Sequence, residues 1–132
     1  IVEDEVKVIK STWELVDFTN VSGMNKAAKV EVTLKSKGKK VSKSSTGDGP
    51  VDACYKAIDK ITGVKGELLD YAIQSVTEGQ DALGEVTVKV KVEGKSVISR
   101  AASTDIVVAS AKAYLNAINK VIATVSDRAP KS

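Results

Sequence analysis

The stretch best arranged to meet a small anion is Thr46-Gly-Asp-Gly-Pro-Val-Asp52, which runs straight into Ala53-Cys-Tyr-Lys-Ala-Ile58. Pro50 suits a first helical position because it has no N–H to leave unsatisfied. Gly47 and Gly49 permit a sharp approach, φ > 0 included, and Asp48 or Thr46 can accept from the amides of the first turn. The product is a helix N-terminus with exposed donors, a seat for a small carboxylate. A nucleotide reading fails on spacing. A P-loop needs Lys-Ser/Thr after its last glycine, where this chain has Pro50-Val51, and the dinucleotide fingerprint needs a third glycine. A carboxylate seat and plain capping both remain open.

The other reactive residues narrow the field. The chain has no histidine, which removes imidazole bases, Ser-His-Asp and Cys-His arrangements and His-based zinc sites. Thr77-Glu-Gly-Gln-Asp-Ala-Leu-Gly84 carries acids and glycines without EF-hand spacing, so it reads as a connecting loop or a lid and not as a metal site. Cys54, on an apolar helix stripe, reads as a small buried hydrophobe. Tyr71 and Tyr114 read as core or interface aromatics with the hydroxyl at an edge. Lys35, Lys37, Lys39, Lys40 and Lys43 cluster on one hairpin with no aromatics to stack bases, so they protect a Val-rich edge and do not bind nucleic acid.

With 132 residues and a net charge of +3, the chain has the size of one domain and no strong electrostatic footprint. No apolar run approaches the roughly 20 residues of a membrane span. A single cysteine makes no internal disulfide, so the expected setting is cytoplasmic.

The elements that must position these residues follow from periodicity. Residues 1–12 read as a linker or an added strand. Trp13, Leu15, Phe18 and Val21 mark a first strand closed by Ser22-Gly23. Val30, Val32 and Leu34 alternate with Lys29, Glu31, Thr33 and Lys35, a strand with one wet face. Lys37-Gly-Lys-Lys40 turns it, and Val41–Ser45 returns. A helix then carries Val51, Cys54, Ile58 and Ile61 on one stripe and stops at Thr62-Gly63. The pattern begins again: a strand over Leu68–Val76, a polar turn at Thr77–Asp81, a Val86–Val92 strand, a turn at Glu93-Gly94-Lys95, a return over Ser96–Ala101, and a helix from Ser103-Thr-Asp105 to about Val125, with Val107, Ser110, Tyr114, Ala117, Ile118 and Val121 as its stripe. Sliding the chain by 56 residues lays residues 28–61 on 84–117 without a gap. Ten of 34 positions are identical, among them Val30/Val86, Gly38/Gly94, Val51/Val107 and Lys56/Lys112, against about two by chance, and Gly23/Gly79 falls in the same register. The expected fold is α+β: two tandem βββα units, residues 13–63 and 64–125, related by a pseudo-twofold, with antiparallel sheets packed on two helices.

Thr46–Ile58, Leu69-Asp-Tyr71, Thr77–Val86 and Ser103–Asn119, in that order, resemble the C-terminal regulatory domain of the 2-isopropylmalate synthases and the related citramalate synthases. The resemblance runs from about Trp13 to Val121. It implies a domain that dimerises, binds leucine or isoleucine near the dimer interface, and inhibits a distant (β/α)8 barrel that condenses acetyl-CoA with a 2-oxo acid. That barrel supplies its own metal-binding histidines and uses a divalent metal; none of these histidines is in this chain, so no cofactor is expected here and the fragment is not expected to be an enzyme. Carried onto this sequence, the effector pocket draws on Asp48, Gly49, Pro50, Val51, Cys54 and Ile58 from the first helix and its entry, on Leu69 and Tyr71, and on Gly79, Asp81, Ala82 and Gly84. First-turn amides would hold the carboxylate, Asp81 or Asp48 the ammonium, and aliphatic walls the side chain. The expected partners are the branched-chain amino acid, a second copy of the chain and the chain's own barrel, with no nucleic acid and no membrane. An effector-free dimerisation module is the rival reading, and a small RNA-binding module a more distant one.

Overall fold

A computed structural model describes residues 12–21, 28–78 and 81–128. Most of the expected linker and Gly79 lie outside them; for Asp81 and Ala82 only the backbone is described. Strands β1 (Glu14–Val21), β2 (Ala28–Ser36) and β3 (Lys39–Gly47) form one antiparallel sheet, followed by α1 (Pro50–Thr62). Strands β4 (Gly66–Glu78), β5 (Asp81–Val92) and β6 (Lys95–Ser103) form a second, followed by α2 (Ile106–Arg128). These are the two βββα units. Each closes its second hairpin with a two-residue turn in which both residues have positive φ: Lys37 (55°) and Gly38 (80°), then Glu93 (51°) and Gly94 (81°). That geometry matches the right-handed twist of the flanking strands.

The period-two pattern fixes which face is inside. Ala28, Val30, Val32 and Leu34 in β2, and Val86, Val88, Val90 and Val92 in β5, are buried under the helices. Each helix covers its own sheet, and α1 also packs on α2 and α2 on β1, which joins the units. In α1 the buried set is Ala53, Cys54, Tyr55, Ala57 and Ile58, with Val51 and Ile61 half-buried. Small residues dominate α2's buried face (Ala109, Ser110, Ala111, Ala113, Ala117), which lets the helix lie close on the valine strands. By length and composition alone, Ile106–Ala123 of α2 would pass for a membrane span, contrary to the sequence-based expectation; half of that window is buried inside the protein.

The duplication extends further than one offset reveals. Residues 67–71 (Glu-Leu-Leu-Asp-Tyr) repeat residues 14–18 (Glu-Leu-Val-Asp-Phe) at an offset of 53. Both strands carry a bulge at the third of these residues, between Leu15 and Asp17 and between Leu68 and Asp70. In both, the aspartate accepts from the next backbone N–H: Phe18 N to Asp17 at 2.8 Å, Tyr71 N to Asp70 at 2.9 Å. The offset changes by three because the second unit's first hairpin is longer: Asn20 pairs with Val30, its counterpart Ile73 with Val86.

The stretch Thr77–Gly84, read from sequence as a connecting loop or a lid, belongs to that longer hairpin. Glu78 pairs with Asp81, Thr77 with Ala82, Val76 with Leu83 and Ser75 with Gly84, so the described residues of the stretch continue the ladder. The chain reverses between Glu78 and Asp81, inside the expected polar turn, and cross-strand pairing carries the ladder up to it.

Candidate functional site

The two helix entries are built differently. In α2, Asp105 is the cap: Oδ1 accepts from Val107 N at 2.8 Å and Val108 N at 3.3 Å, while Asp105 N donates to Ser103 Oγ at 3.2 Å. In α1 the capping residue is Gly49, and no side chain caps the first turn, neither Asp48 nor Thr46 as expected. The first intrahelical bond is Ala53 N to Gly49 O at 2.9 Å, so the Val51 and Asp52 amides have neither an intrahelical acceptor nor a cap. Instead Asp52 reaches back: its Oδ2 accepts from Asp48 N at 3.1 Å and pairs with Lys56 Nζ at 3.1 Å. These donors, the Asp48 amide first and then Lys56, hold its carboxyl below the usual value.

The glycines serve the approach and not a left-handed turn. Gly49 is extended (φ −154°, ψ 175°), which any residue adopts, and a Cβ there would stand in open space. At Gly47 a Cβ would lie 2.6 Å from Ala53 N and 3.0 Å from Ala53 Cα, so the end of β3 must be bare for α1 to begin against it. In the second unit the strand pair that abuts the helix entry is Gly84 with Ser103, the reverse of Ala28 with Gly47. The space above Gly84 is filled by the Ile106 side chain. Each unit keeps one glycine in that pair, on opposite strands.

Beside the uncapped entry, a groove of about 630 Å³ opens between α1 and the start of β4. Val51, Asp52, Tyr55, Lys56 and Asp59 line it from α1, Lys65, Gly66, Leu68 and Tyr71 from the linker and β4, and Tyr114 from α2. Tyr55 and Tyr114 stack with ring centroids 4.1 Å apart and an interplanar angle of 13°. Tyr114 donates to Asp59 Oδ1 at 2.8 Å, and Tyr71 meets Ser110 Oγ at 2.6 Å. The Tyr55 hydroxyl is buried beside Ser110 and Tyr71, with no well-formed hydrogen bond among the described residues. Burial pushes the Asp59 carboxyl up to about 6, against the pull of Tyr114, the Gly66 amide and Lys65. Burial also drives the Tyr55 and Tyr114 hydroxyls well above the usual tyrosine value.

The symmetry-related position, between α2 and β1, holds a smaller cleft of about 400 Å³ lined by Leu15, Phe18, Asp105, Val108 and Lys112, among others. Where the first groove has Tyr55, Asp59 and Gly66, the corresponding residues are Ala111, Leu115 and Trp13. Asn119 ties Trp13 in place through its backbone, accepting from Trp13 N at 3.0 Å and donating to Trp13 O at 2.9 Å. One duplicated position is the larger, mostly apolar groove, and the other keeps only the smaller cleft.

Of the candidate residues read from sequence, the groove brings together Val51 and Tyr71. Gly49 and Pro50 form the adjoining helix entry, and Asp48 is exposed beside it with its amide on Asp52. Cys54 and Ile58 are fully buried in the core and do not reach the groove, because α1 turns that stripe onto its own sheet; burial pushes the Cys54 thiol up to about 12. Leu69 is the extra residue of the β4 bulge and is exposed, outside the groove lining. Gly84 lies under Ile106 at the α2 entry. Missed in the sequence were Asp52, Tyr55 and Asp59, whose spacing of three and four residues places them on one helical face; the charges at 52 and 59 mimic a solvent face. No group of three or more metal-ligating side chains lies together among the described residues.

Comparison with known proteins agrees with this architecture. Residues 1–122 match the LeuA allosteric (dimerisation) domain. The chain is 45% identical over 122 residues to 2-isopropylmalate synthase of Heliobacterium modesticaldum, covering 92% of this chain and 24% of that protein. It is 50% identical over 121 residues to the enzyme of Carboxydothermus hydrogenoformans (91% and 24%) and 48% over 125 residues to that of Methylacidiphilum infernorum (92% and 24%). It thus spans about a quarter of the length of these relatives. With two βββα units over its whole described length and this match, the chain belongs to the LeuA allosteric (dimerisation) domain family.

Proposed function

We propose that this domain senses leucine and conveys feedback inhibition to the acetyl-CoA-dependent acyltransferase barrel of a cytoplasmic 2-isopropylmalate synthase, acting as a homodimer. The observation that carries the reading is the contrast between the two helix entries: α2 is capped by its own Asp105, whereas α1 presents the free Val51 and Asp52 amides beside an apolar groove. An α-carboxylate fits those donors. Asp52, in the same turn, is the anion nearest an α-ammonium bound there. Asp59 lies seven residues further along, about 10 Å down the helix axis, too far to share one head group whose two charges flank a single carbon. The alkyl chain then runs along Val51, Leu68 and Tyr71. Leu68, Leu69 and Ile73 are exposed at 40%, 43% and 53%, apolar surface next to the groove that suits a partner copy.

The domain binds and does not catalyse: it has no histidine, and the divalent metal of the parent belongs to the barrel. Isoleucine sensing, as in citramalate synthases, is the alternative, since the two ligands differ by one methyl placement worth about 1–3 kcal/mol. Calorimetry with leucine, isoleucine and valine on the folded domain tests the reading. Binding of leucine supports it, preference for isoleucine moves it to the alternative, and no heat from any of the three at millimolar concentration leaves the effector-free dimerisation module.

A further inference from the structure

We infer that Ser110, fully buried on α2, is the positioning residue that fixes the Tyr71 ring as a wall of the effector groove. The hydrogen bonds have one consistent direction. Ser110 has a single hydroxyl proton and gives it to Ile106 O at 2.8 Å, so the 2.6 Å contact with Tyr71 is donated by the tyrosine. Tyr71 is thereby held at its far end by a helix of the core, and not only by its backbone in β4. Without that anchor the half-exposed ring swings about χ1, and the width of the groove changes with it.

The duplication supplies an internal comparison. Ser110 corresponds to Cys54 and Tyr71 to Phe18, by the offsets of 56 and 53. In the first unit neither partner of the bond exists: phenylalanine has no hydroxyl, and the thiol is a poor acceptor. The bond is present in the unit whose first strand walls the larger groove, and its counterpart is absent beside the smaller cleft. A buried serine needing only to satisfy itself already has the Ile106 carbonyl, so the tyrosine contact is additional to its own requirement. The same bond ties the groove to the first turn of α2, where Ile106 packs over Gly84.

This inference rests on the effector reading, and the test separates the two. Leucine affinity is measured for the wild-type domain, Ser110→Ala, Tyr71→Phe and the double variant, and the ζ-carbon resonances of labelled tyrosine are recorded for each without ligand. The expected result is a five- to tenfold loss for each single variant, no further loss in the double, and a shifted Tyr71 resonance with Tyr114 unmoved in Ser110→Ala. Losses that multiply in the double variant, or unchanged affinity or an unchanged Tyr71 resonance in Ser110→Ala, overturn it. If Ser110→Ala lowers the melting temperature by more than about 5 °C, Ser110→Cys, closer in shape but weak in hydrogen bonding, carries the same cycle. A wild-type domain that binds none of the three amino acids defeats the effector reading and the affinity claim together, whereas normal wild-type binding with a multiplicative cycle defeats this inference alone.

Discussion

Asp59→Asn should make the domain more stable near neutral pH and leave it nearly unchanged near pH 4. Asp59 sits where α1, the start of β4 and α2 meet, and its carboxyl is raised from 3.8 to about 6, burial being the largest cause. A raised acid binds more protons folded than unfolded between those values, so stability is fully present below about pH 4 and is lost as pH rises through 6. Raising the carboxyl from 3.8 to about 6 corresponds to roughly 3 kcal/mol. The carboxylate is partly exposed and water screens it, so about half, ~1.5 kcal/mol, is the expected cost above pH 7. Asparagine removes the charge and keeps an acceptor for the Tyr114 hydroxyl. Urea unfolding of both proteins from pH 4 to 8, at one fixed protein concentration because the family dimerises, gives the difference free of other carboxylates. The variant should gain about 1.5 kcal/mol relative to wild type across that range. A constant difference would show that Tyr114, the Gly66 amide and Lys65 balance burial, and one that favours wild type as pH rises that they outweigh it; either would refute the reasoning.

Three further outcomes follow from the helix entries. Gly47→Ala should cost about 2 kcal/mol or more in chemical denaturation, since its Cβ meets the Ala53 backbone, while Gly49→Ala changes stability by less than about 0.5 kcal/mol. Asp105→Ala should cost about 1 kcal/mol through loss of the α2 cap, read by thermal melting, without altering leucine affinity. Gly49→Asp should add the missing cap to α1, raising stability by a few tenths of a kcal/mol while weakening leucine at least tenfold in calorimetry, because the new carboxylate takes the ligand's donors.

The fold was largely legible because binary pattern and duplication agree: the valines of β2 and β5 alternate cleanly, and one offset carries through turn and helix start. The β1/β4 repeat was hidden by the three extra residues of the second unit's hairpin, which break the single register although even the bulge is shared. How far the ladder reaches into Thr77–Gly84 was not legible, because Gly, Gln and Asp signal a turn locally whereas the pairing of Ser75–Glu78 is decided across the hairpin. The site was half legible. Val51 and Tyr71 came from motif position, but Asp59 carried the pattern of a wet helix face, and only α2 and β4 folding over it make it a groove residue. Cys54 and Ile58 lie too near the apolar centre of α1 to serve a ligand and the core at once.

The most direct test is to follow backbone amide resonances of the domain during leucine addition. The account predicts saturable shifts centred on Val51 and Asp52 and extending to Tyr71, with the capped amides of Val107 and Val108 little changed. Shifts centred on the α2 entry, or none with leucine, isoleucine or valine at millimolar concentration, would contradict it.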